Sequence, residues 1–125
     1  MKKLFITLAF GFFALCSSAE GYTSVSNSDF EIQLSDTSVV CLDVRTPAEY
    51  AEGHLNGAVN IDVRSADFKQ ISLSSLDKKK TIAVYCRSGR RSKMAAGILS
   101  AEGYKVVELD KGIMGWMAEN RAVVK

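Results

Sequence analysis

Residues 81–102 constrain the fold of this chain most, because they read as one continuous strand, loop and helix. The run Thr81–Tyr85 is β-branched and aromatic, as in a buried strand. Residues 92–102 have the pattern of a helix that starts near Ser92 and ends before Gly103. A buried strand that passes through a short loop into a helix is typical of a parallel sheet covered by helices.

The loop between this strand and helix carries a reactive thiol candidate, Cys86, at its first position. Main-chain N–H groups of such a loop converge on one point, and the N-terminus of the following helix adds a positive field, so a thiolate or bound oxyanion is stabilised there. Cys86 is therefore the predicted nucleophile. The predicted substrate-binding residues are the rest of the loop and the start of the helix: Arg87, Ser88, Gly89, Arg90, Arg91 and Ser92.

Alternating strand and helix patterns extend this unit to the whole chain. The other predicted strands are residues 39–44, 58–61 and 105–109, and further helices are predicted to start at Ser28-Asp29 and Ser65. This order predicts an α/β fold with three layers: a mainly parallel central sheet of about five strands, with helices on both faces.

A capping box follows the first of these strands. In Thr46-Pro47-Ala48-Glu49, Thr is at the cap, Pro at the first helical position and Glu at the third, and Gly53 is the predicted stop. Just before it, Asp43 and Arg45 lie at the carboxyl end of the strand, where parallel α/β sheets gather their ligands. Both are expected near Cys86. A catalytic role is one alternative, and the favoured one is structural: hydrogen bonds to the cysteine loop and to the neighbouring helix end.

The first 19 residues have the pattern of a secretory signal peptide. Two lysines precede an apolar run over residues 4–15, and Ser17 and Ala19 fit the small-residue cleavage rule. The apolar run is shorter than the roughly 20 residues that span a bilayer, so no stable membrane insertion is expected after processing. Lipidation at Cys16 is an alternative, against which Leu15 is a poor fit. The expected location is the periplasm, with residues 20–125 forming a single domain.

Removal of the leader leaves a formally neutral chain, since 14 basic residues then balance the 14 acidic ones. The basic residues also form no stripe, so nucleic acid is not an expected partner. Cys41 and Cys86 survive processing, and Cys41 lies in an apolar run that favours core packing over a disulfide. No cysteine-histidine cluster suggests a metal, and no cofactor is expected.

Three segments together resemble the rhodanese family. Residues 42–50 and 53–61 resemble its first signature, and the Cys86 loop resembles its second. Residues 103–109 and 112–116 are similar to its closing segment, with one departure at Lys111, where the family often has a second glycine. The resemblance covers nearly all of residues 20–125 and is closest to single-domain, exported members.

This resemblance implies a thiosulfate sulfurtransferase with a rhodanese-like fold. Cys86 would attack the outer sulfur of a donor such as thiosulfate, release sulfite and carry the sulfur as a persulfide to a thiol or to cyanide. Arg87 and Arg91 are the first choices for contacting the donor anion. Because an activated thiol is easily oxidised in the periplasm, the persulfide is the resting form or a periplasmic thiol reductant is a further expected partner.

Two other functions stay open at this level. The domain is either an enzyme or a sulfane-sulfur carrier and partner-binding module with little free turnover. A phosphatase or arsenate reductase of the same fold is the weaker alternative, because those loops place five residues between the cysteine and an arginine, whereas Arg91 comes one position earlier.

Overall fold

The computed structural model describes residues 21–125, which form one five-stranded sheet with five helices. The predicted signal peptide and Cys16 lie outside the described residues. The strands run in the order β1-β5-β4-β2-β3, and every neighbouring pair is parallel. No helix within residues 21–125 has the length and apolarity to cross a membrane.

The elements alternate along the chain as the sequence predicts. The strands are β1 (Thr23–Val25), β2 (Val39–Asp43), β3 (Val59–Asn60), β4 (Thr81–Tyr85) and β5 (Lys105–Leu109). The helices are α1 (Asn27–Leu34), α2 (Pro47–Glu52), α3 (Phe68–Ser75), α4 (Arg90–Ala101) and α5 (Gly112–Ala118). The α/β class and the parallel sheet of five strands are thereby confirmed.

The two faces of the sheet bury separate apolar clusters. Because side chains alternate along a strand, Ile82 and Val84 of β4 pack with α3 and α4, whereas Ala83 and Tyr85 pack with α1 and α5. The three-layer architecture is confirmed by this division. It also separates the two cysteines, since Cys86 belongs to the first cluster and Cys41 to the second.

Three helices start at positions other than those predicted. Helix α1 is capped by Ser26, whose side chain accepts from Asp29 N, and not by Ser28. Helix α3 begins at Phe68, because the Ser65 hydroxyl accepts from Asp67 N in a preceding turn instead of capping a helix. Helix α4 begins at Arg90, two residues before the predicted start at Ser92.

The capping box on α2 is confirmed in full. Thr46 Oγ1 accepts from Glu49 N at 3.2 Å, and Glu49 Oε1 accepts from Thr46 N at 3.0 Å. Gly53 follows as the C-cap with φ of 155°. This helix is short, so its position depends on such contacts more than on its own propensity.

The turn before α5 explains why lysine is accepted at position 111. Lys111 has φ of −101°, which any residue adopts, whereas Gly112 has φ of +67°. A Cβ on Gly112 would lie 2.3 Å from the carbonyl oxygen of Arg87. Only the second position of this turn therefore requires glycine, and the departure at Lys111 leaves its shape intact.

Candidate active site at the Cys86 loop

The Cys86 sulfur lies at the carboxyl end of β4, at the start of the loop that leads into α4. The residue is 1% exposed, and its sulfur accepts from Gly89 N at 3.1 Å. The thiol also contacts Ser92 Oγ at 3.3 Å. The sulfur thus sits beneath a loop that directs a main-chain N–H toward it, at the N-terminus of a 12-residue helix.

Two backbone hydrogen bonds from α5 hold the Cys86 loop in place. Ile113 N donates to the carbonyl of Cys86 at 2.9 Å, and Met114 N donates to the carbonyl of Arg87 at 3.1 Å. Free N–H groups at a helix N-terminus need such acceptors. Helix α5 therefore engages the carbonyls of Cys86 and Arg87, while the N–H group of Gly89 donates to the sulfur.

The three loop arginines differ in their surroundings. Arg87 and Arg90 are exposed, and the only side-chain hydrogen bond of Arg87 among residues 21–125 goes from Nε to Met114 Sδ at 3.3 Å. Ser88 beside them is exposed too. These residues, rather than Arg91, form the open rim of the loop.

Arg91 is engaged by a carboxylate that the sequence analysis assigned only to helix capping. Its two terminal nitrogens donate to the two oxygens of Glu49 at 2.8 and 2.9 Å. This bidentate pair joins α4 to α2, and the Arg91 charge also interacts electrostatically with Cys86. A direct contact from Arg91 to a donor anion was the expectation, but its fork is already occupied by Glu49.

The Glu49–Arg91 pair gives a testable pH dependence. Its hydrogen bonds, those from Arg91 above all, lower the pKa of Glu49 from 4.5 to about 2. Because the folded-state value is the lower one, the stabilisation is complete above pH 4.5 and is lost as the pH falls to about 2. Glu49→Gln, which keeps the capping box, is expected to lower the free energy of unfolding by about 1–2 kcal/mol at neutral pH and by nearly nothing near the lower value. Urea unfolding of both proteins across this range measures the difference, and a difference independent of pH would contradict the assignment.

Asp43 and Arg45 form a buried pair behind the site. Asp43 is fully buried and accepts from Arg45 N, Nε and Nη2, the last at 2.7 Å, and from the Tyr85 hydroxyl at 2.7 Å. Arg45 Nη2 also donates to the carbonyl of Gly53 at 2.7 Å. The pair joins β2, β4 and the end of α2. The structure shows the expected link to the helix end but no hydrogen bond from either side chain to residues 86–91.

A buried carboxylate that the sequence analysis did not single out lies under the loop. Glu108 is fully buried and accepts from Ser92 Oγ and from Ser24 Oγ, both at 2.5 Å. Lys93 Nζ lies 3.3 Å from Glu108 and 3.0 Å from Asp110. The available signal was a charged residue among the apolar residues Val106, Val107 and Leu109 of β5, but its partners Ser24 and Ser92 lie far away in the sequence.

Cys41 and His54 have structural surroundings. Burial, with a smaller contribution from Asp43, raises the pKa of Cys41 to about 12, so this thiol stays protonated at neutral pH. His54 Nδ1 lies 2.9 Å from the Tyr50 carbonyl, and its ring stacks on the Tyr50 ring. Across residues 21–125 no group of three His, Cys, Asp or Glu side chains is placed to hold a metal ion.

The fold and site define an α/β domain in which a strand-loop-helix turn buries a thiol, directs the Gly89 N–H group to its sulfur and carries three arginines. The family model described as a rhodanese-like domain matches residues 26–119. The chain belongs to the rhodanese family.

Similar proteins agree on this class of chemistry. A sulfurtransferase of Allochromatium vinosum is 32% identical over 80% of this chain and 92% of its own length. The thiosulfate sulfurtransferase PspE of Escherichia coli is 40% identical over 58% of this chain and 68% of its own length. A crystal structure of a rhodanese-related protein from Thermoplasma volcanium superposes with a TM-score of 0.72 at 30% identity, covering 82% of this chain and 98% of that one. The family of this chain is thus one of sulfurtransferases, and sulfur transfer is its general chemistry.

Proposed function

We propose that the protein transfers sulfane sulfur from thiosulfate, or from a similar small anion, to a thiol or cyanide acceptor through a persulfide on Cys86. The observation that carries this proposal is the 3.1 Å contact from Gly89 N to the Cys86 sulfur at the start of α4. An N–H group and a helix N-terminus stabilise negative charge on a nucleophile and on the group that replaces it. The Escherichia coli relative is itself named a thiosulfate sulfurtransferase, which supports thiosulfate as the donor.

The first half-reaction forms one sulfur-sulfur bond and breaks another. The Cys86 thiolate attacks the outer sulfur of thiosulfate, and sulfite leaves with the electron pair of the bond that breaks. Cys86 then carries a persulfide anion in the place of the thiolate. In the second half-reaction a thiolate or cyanide attacks the outer sulfur, and Cys86 leaves as the thiolate again.

The loop residues divide the remaining tasks. The exposed guanidinium groups of Arg87 and Arg90 attract the donor dianion and stabilise departing sulfite. Arg91 supplies positive charge while Glu49 holds its geometry. Gly89 and Ser92 contact the Cys86 sulfur, and Ser88 contributes to the open rim. Asp43 and Arg45 support the loop indirectly, through the strand ends and α2.

Export is proposed on the N-terminal pattern alone. Cleavage after Ala19 would place the domain in the periplasm, where a thiol reductant would keep Cys86 active. The mass of the protein recovered from whole cells tests this, because a chain starting at Glu20 is expected. A lipidated chain starting at Cys16 would support the alternative, and an unprocessed chain would contradict both.

The test of the sulfur-transfer proposal is the intact mass of the reduced protein before and after thiosulfate, with sulfite assayed in the same tube. Wild type is expected to gain one sulfur, about 32 Da, with one equivalent of sulfite. Cys86→Ala is expected to gain nothing, whereas Cys41→Ala, the matched control in the other cluster, is expected to gain the same mass as wild type. A wild-type protein with a free Cys86 that gains no mass would overturn the thiosulfate assignment.

Turnover separates an enzyme from a carrier. Persulfide formation followed by repeated release to cyanide or to a small thiol identifies the enzyme, whereas persulfide formation with release only to a protein thiol identifies the carrier. Hydrolysis of phosphate esters, or inhibition by arsenate, in protein that takes up no sulfur would instead support the phosphatase alternative.

A further inference from the structure

Glu108 has a carboxylate that the proposed sulfur transfer leaves unused. It lies near the end of β5 with no solvent exposure. Its Oε1 accepts from Ser24 of β1, and its Oε2 accepts from Ser92 of α4. A buried carboxylate costs folding free energy unless it is paired and hydrogen-bonded. One of the hydrogen-bond donors to Glu108, Ser92, is also in contact with Cys86.

Ser92 connects this carboxylate to Cys86. A serine hydroxyl has one proton, and Ser92 gives it to Glu108 Oε2 at 2.5 Å. The Ser92 oxygen is then an acceptor for the Cys86 thiol, which lies 3.3 Å away. The three side chains form a hydrogen-bond chain: Cys86 donates to Ser92, and Ser92 donates to Glu108.

The charges around this hydrogen-bond chain disfavour a thiolate beside an ionised Glu108. Such a state would place two negative charges in one buried cluster, and like charges disfavour each other's ionisation. Among residues 21–125, the one cation in hydrogen-bond contact with Glu108 is Lys93, which also pairs with Asp110. Arg91, whose charge interacts with Cys86, is paired with Glu49.

We propose that Glu108 accepts the proton of Cys86 through the Ser92 hydroxyl when the thiol becomes a thiolate. The S–H bond breaks as Ser92 Oγ takes that proton, and Ser92 passes its own proton to Glu108 Oε2. The negative charge moves from Glu108 to the sulfur, beside Gly89 N and the N-terminus of α4, and the net charge of the cluster is unchanged. This inference rests on the proposed function only in taking Cys86 as the nucleophile.

The rate of Cys86 alkylation by iodoacetamide across a pH series tests the proposal without a sulfur donor. Peptide mapping confines the readout to Cys86. Glu108→Gln keeps the size of the side chain and an acceptor for Ser92 but cannot take up a proton. In Glu108→Gln, Cys86 is expected to be alkylated about tenfold more slowly at neutral pH than in wild type. The curve of alkylation rate against pH is expected to move by about one unit to higher pH. Ser92→Ala is expected to move the profile in the same direction.

The direction in which Glu108→Gln changes the alkylation rate separates a proton acceptor from two other roles, an ionised neighbour and a support of the fold. If Glu108 stays ionised beside the thiolate, Glu108→Gln removes a like charge and alkylation becomes faster. If Glu108 only supports the fold, the pH profile keeps its position. Either result overturns the proposal. Ser24→Ala is the matched control, because it removes a donor to Glu108 and leaves the hydrogen-bond chain to Cys86 intact; a profile at the wild-type position or at lower pH is expected.

A second measurement uses the wild-type protein and does not depend on the folding of a variant. Conversion of Cys86 to the thiolate is followed by ultraviolet absorbance, while infrared spectroscopy follows the carbonyl stretch of a protonated carboxyl group. At a fixed neutral pH the proposal requires the thiolate signal and the carboxyl signal to occur together in the same sample, because the proton that leaves Cys86 stays on Glu108. A thiolate signal without the carboxyl signal overturns the proposal. Because neither measurement contains thiosulfate, failure of the thiosulfate assignment and failure of the proton path give different results.

Discussion

Gly89→Ala is expected to lower the rate of sulfur uptake by about a hundredfold or more, which is the usual cost of losing one N–H donor that stabilises developing charge. Gly89 has φ of +105°, and a Cβ at this position would lie 2.2 Å from the carbonyl oxygen of Asp110. Because this oxygen belongs to the backbone and cannot rotate away as a side chain would, the Cys86 loop has to move to accommodate the Cβ. Its movement withdraws Gly89 N from the Cys86 sulfur, where it now donates at 3.1 Å.

Gly97→Ala provides the matched control on the same helix. A Cβ at Gly97 meets no atom within 4 Å, and its φ lies outside the left-handed region. Alanine is the better helix former, so this variant is expected to gain about 0.5–1 kcal/mol in the free energy of unfolding and to keep wild-type sulfur uptake. The measurements are single-turnover sulfite release and urea unfolding of both variants. Wild-type sulfite release by Gly89→Ala would show that its N–H group is not part of the site.

The features that could be predicted from sequence are those determined by interactions between residues close together in the chain. The capping box needs only Thr46, Pro47 and Glu49, which lie within four consecutive residues. The β4 strand, its loop and α4 also follow from local pattern, so Cys86 could be placed at the carboxyl end of a strand. Strand β1 was missed because its three residues, Thr-Ser-Val, form too short and too polar a run to register as a strand.

The partners of the charged residues could not be predicted, because they depend on how distant segments meet. Arg91 was expected to contact a donor anion, but the pairing with Glu49 joins residues 42 positions apart. Ser92 was expected near a helix cap. The helix starts two residues earlier, at Arg90, so Ser92 is its third residue and donates to Glu108 on β5. Local sequence therefore locates the candidate nucleophile, and tertiary packing decides which side chains surround it.

The buried Asp43–Arg45 pair is expected to dominate the stability of the fold. Asp43→Ala is predicted to lower the free energy of unfolding by about 3–5 kcal/mol, because it leaves the charge of Arg45 buried without its carboxylate. Arg45 is 6% exposed and would retain only the carbonyl of Gly53 as a side-chain acceptor among residues 21–125. Burial, together with Asp43, raises the pKa of Tyr85, which keeps its hydroxyl a donor that would lose its acceptor.

Urea unfolding and thermal melting measure this loss against an exposed ion pair of the same domain. Glu102→Ala breaks the pair of Glu102 with Lys69, which is 58% exposed, and is expected to cost at most about 1 kcal/mol. For a domain of this size the Asp43 variant should melt about 15 °C or more below wild type. Asp43→Asn, which keeps an acceptor for Tyr85, should fall between the two. Since Asp43 does not touch the sulfur, the folded fraction of Asp43→Ala at low temperature should still take up sulfur from thiosulfate; loss of uptake in folded protein would instead give Asp43 a direct part in the reaction.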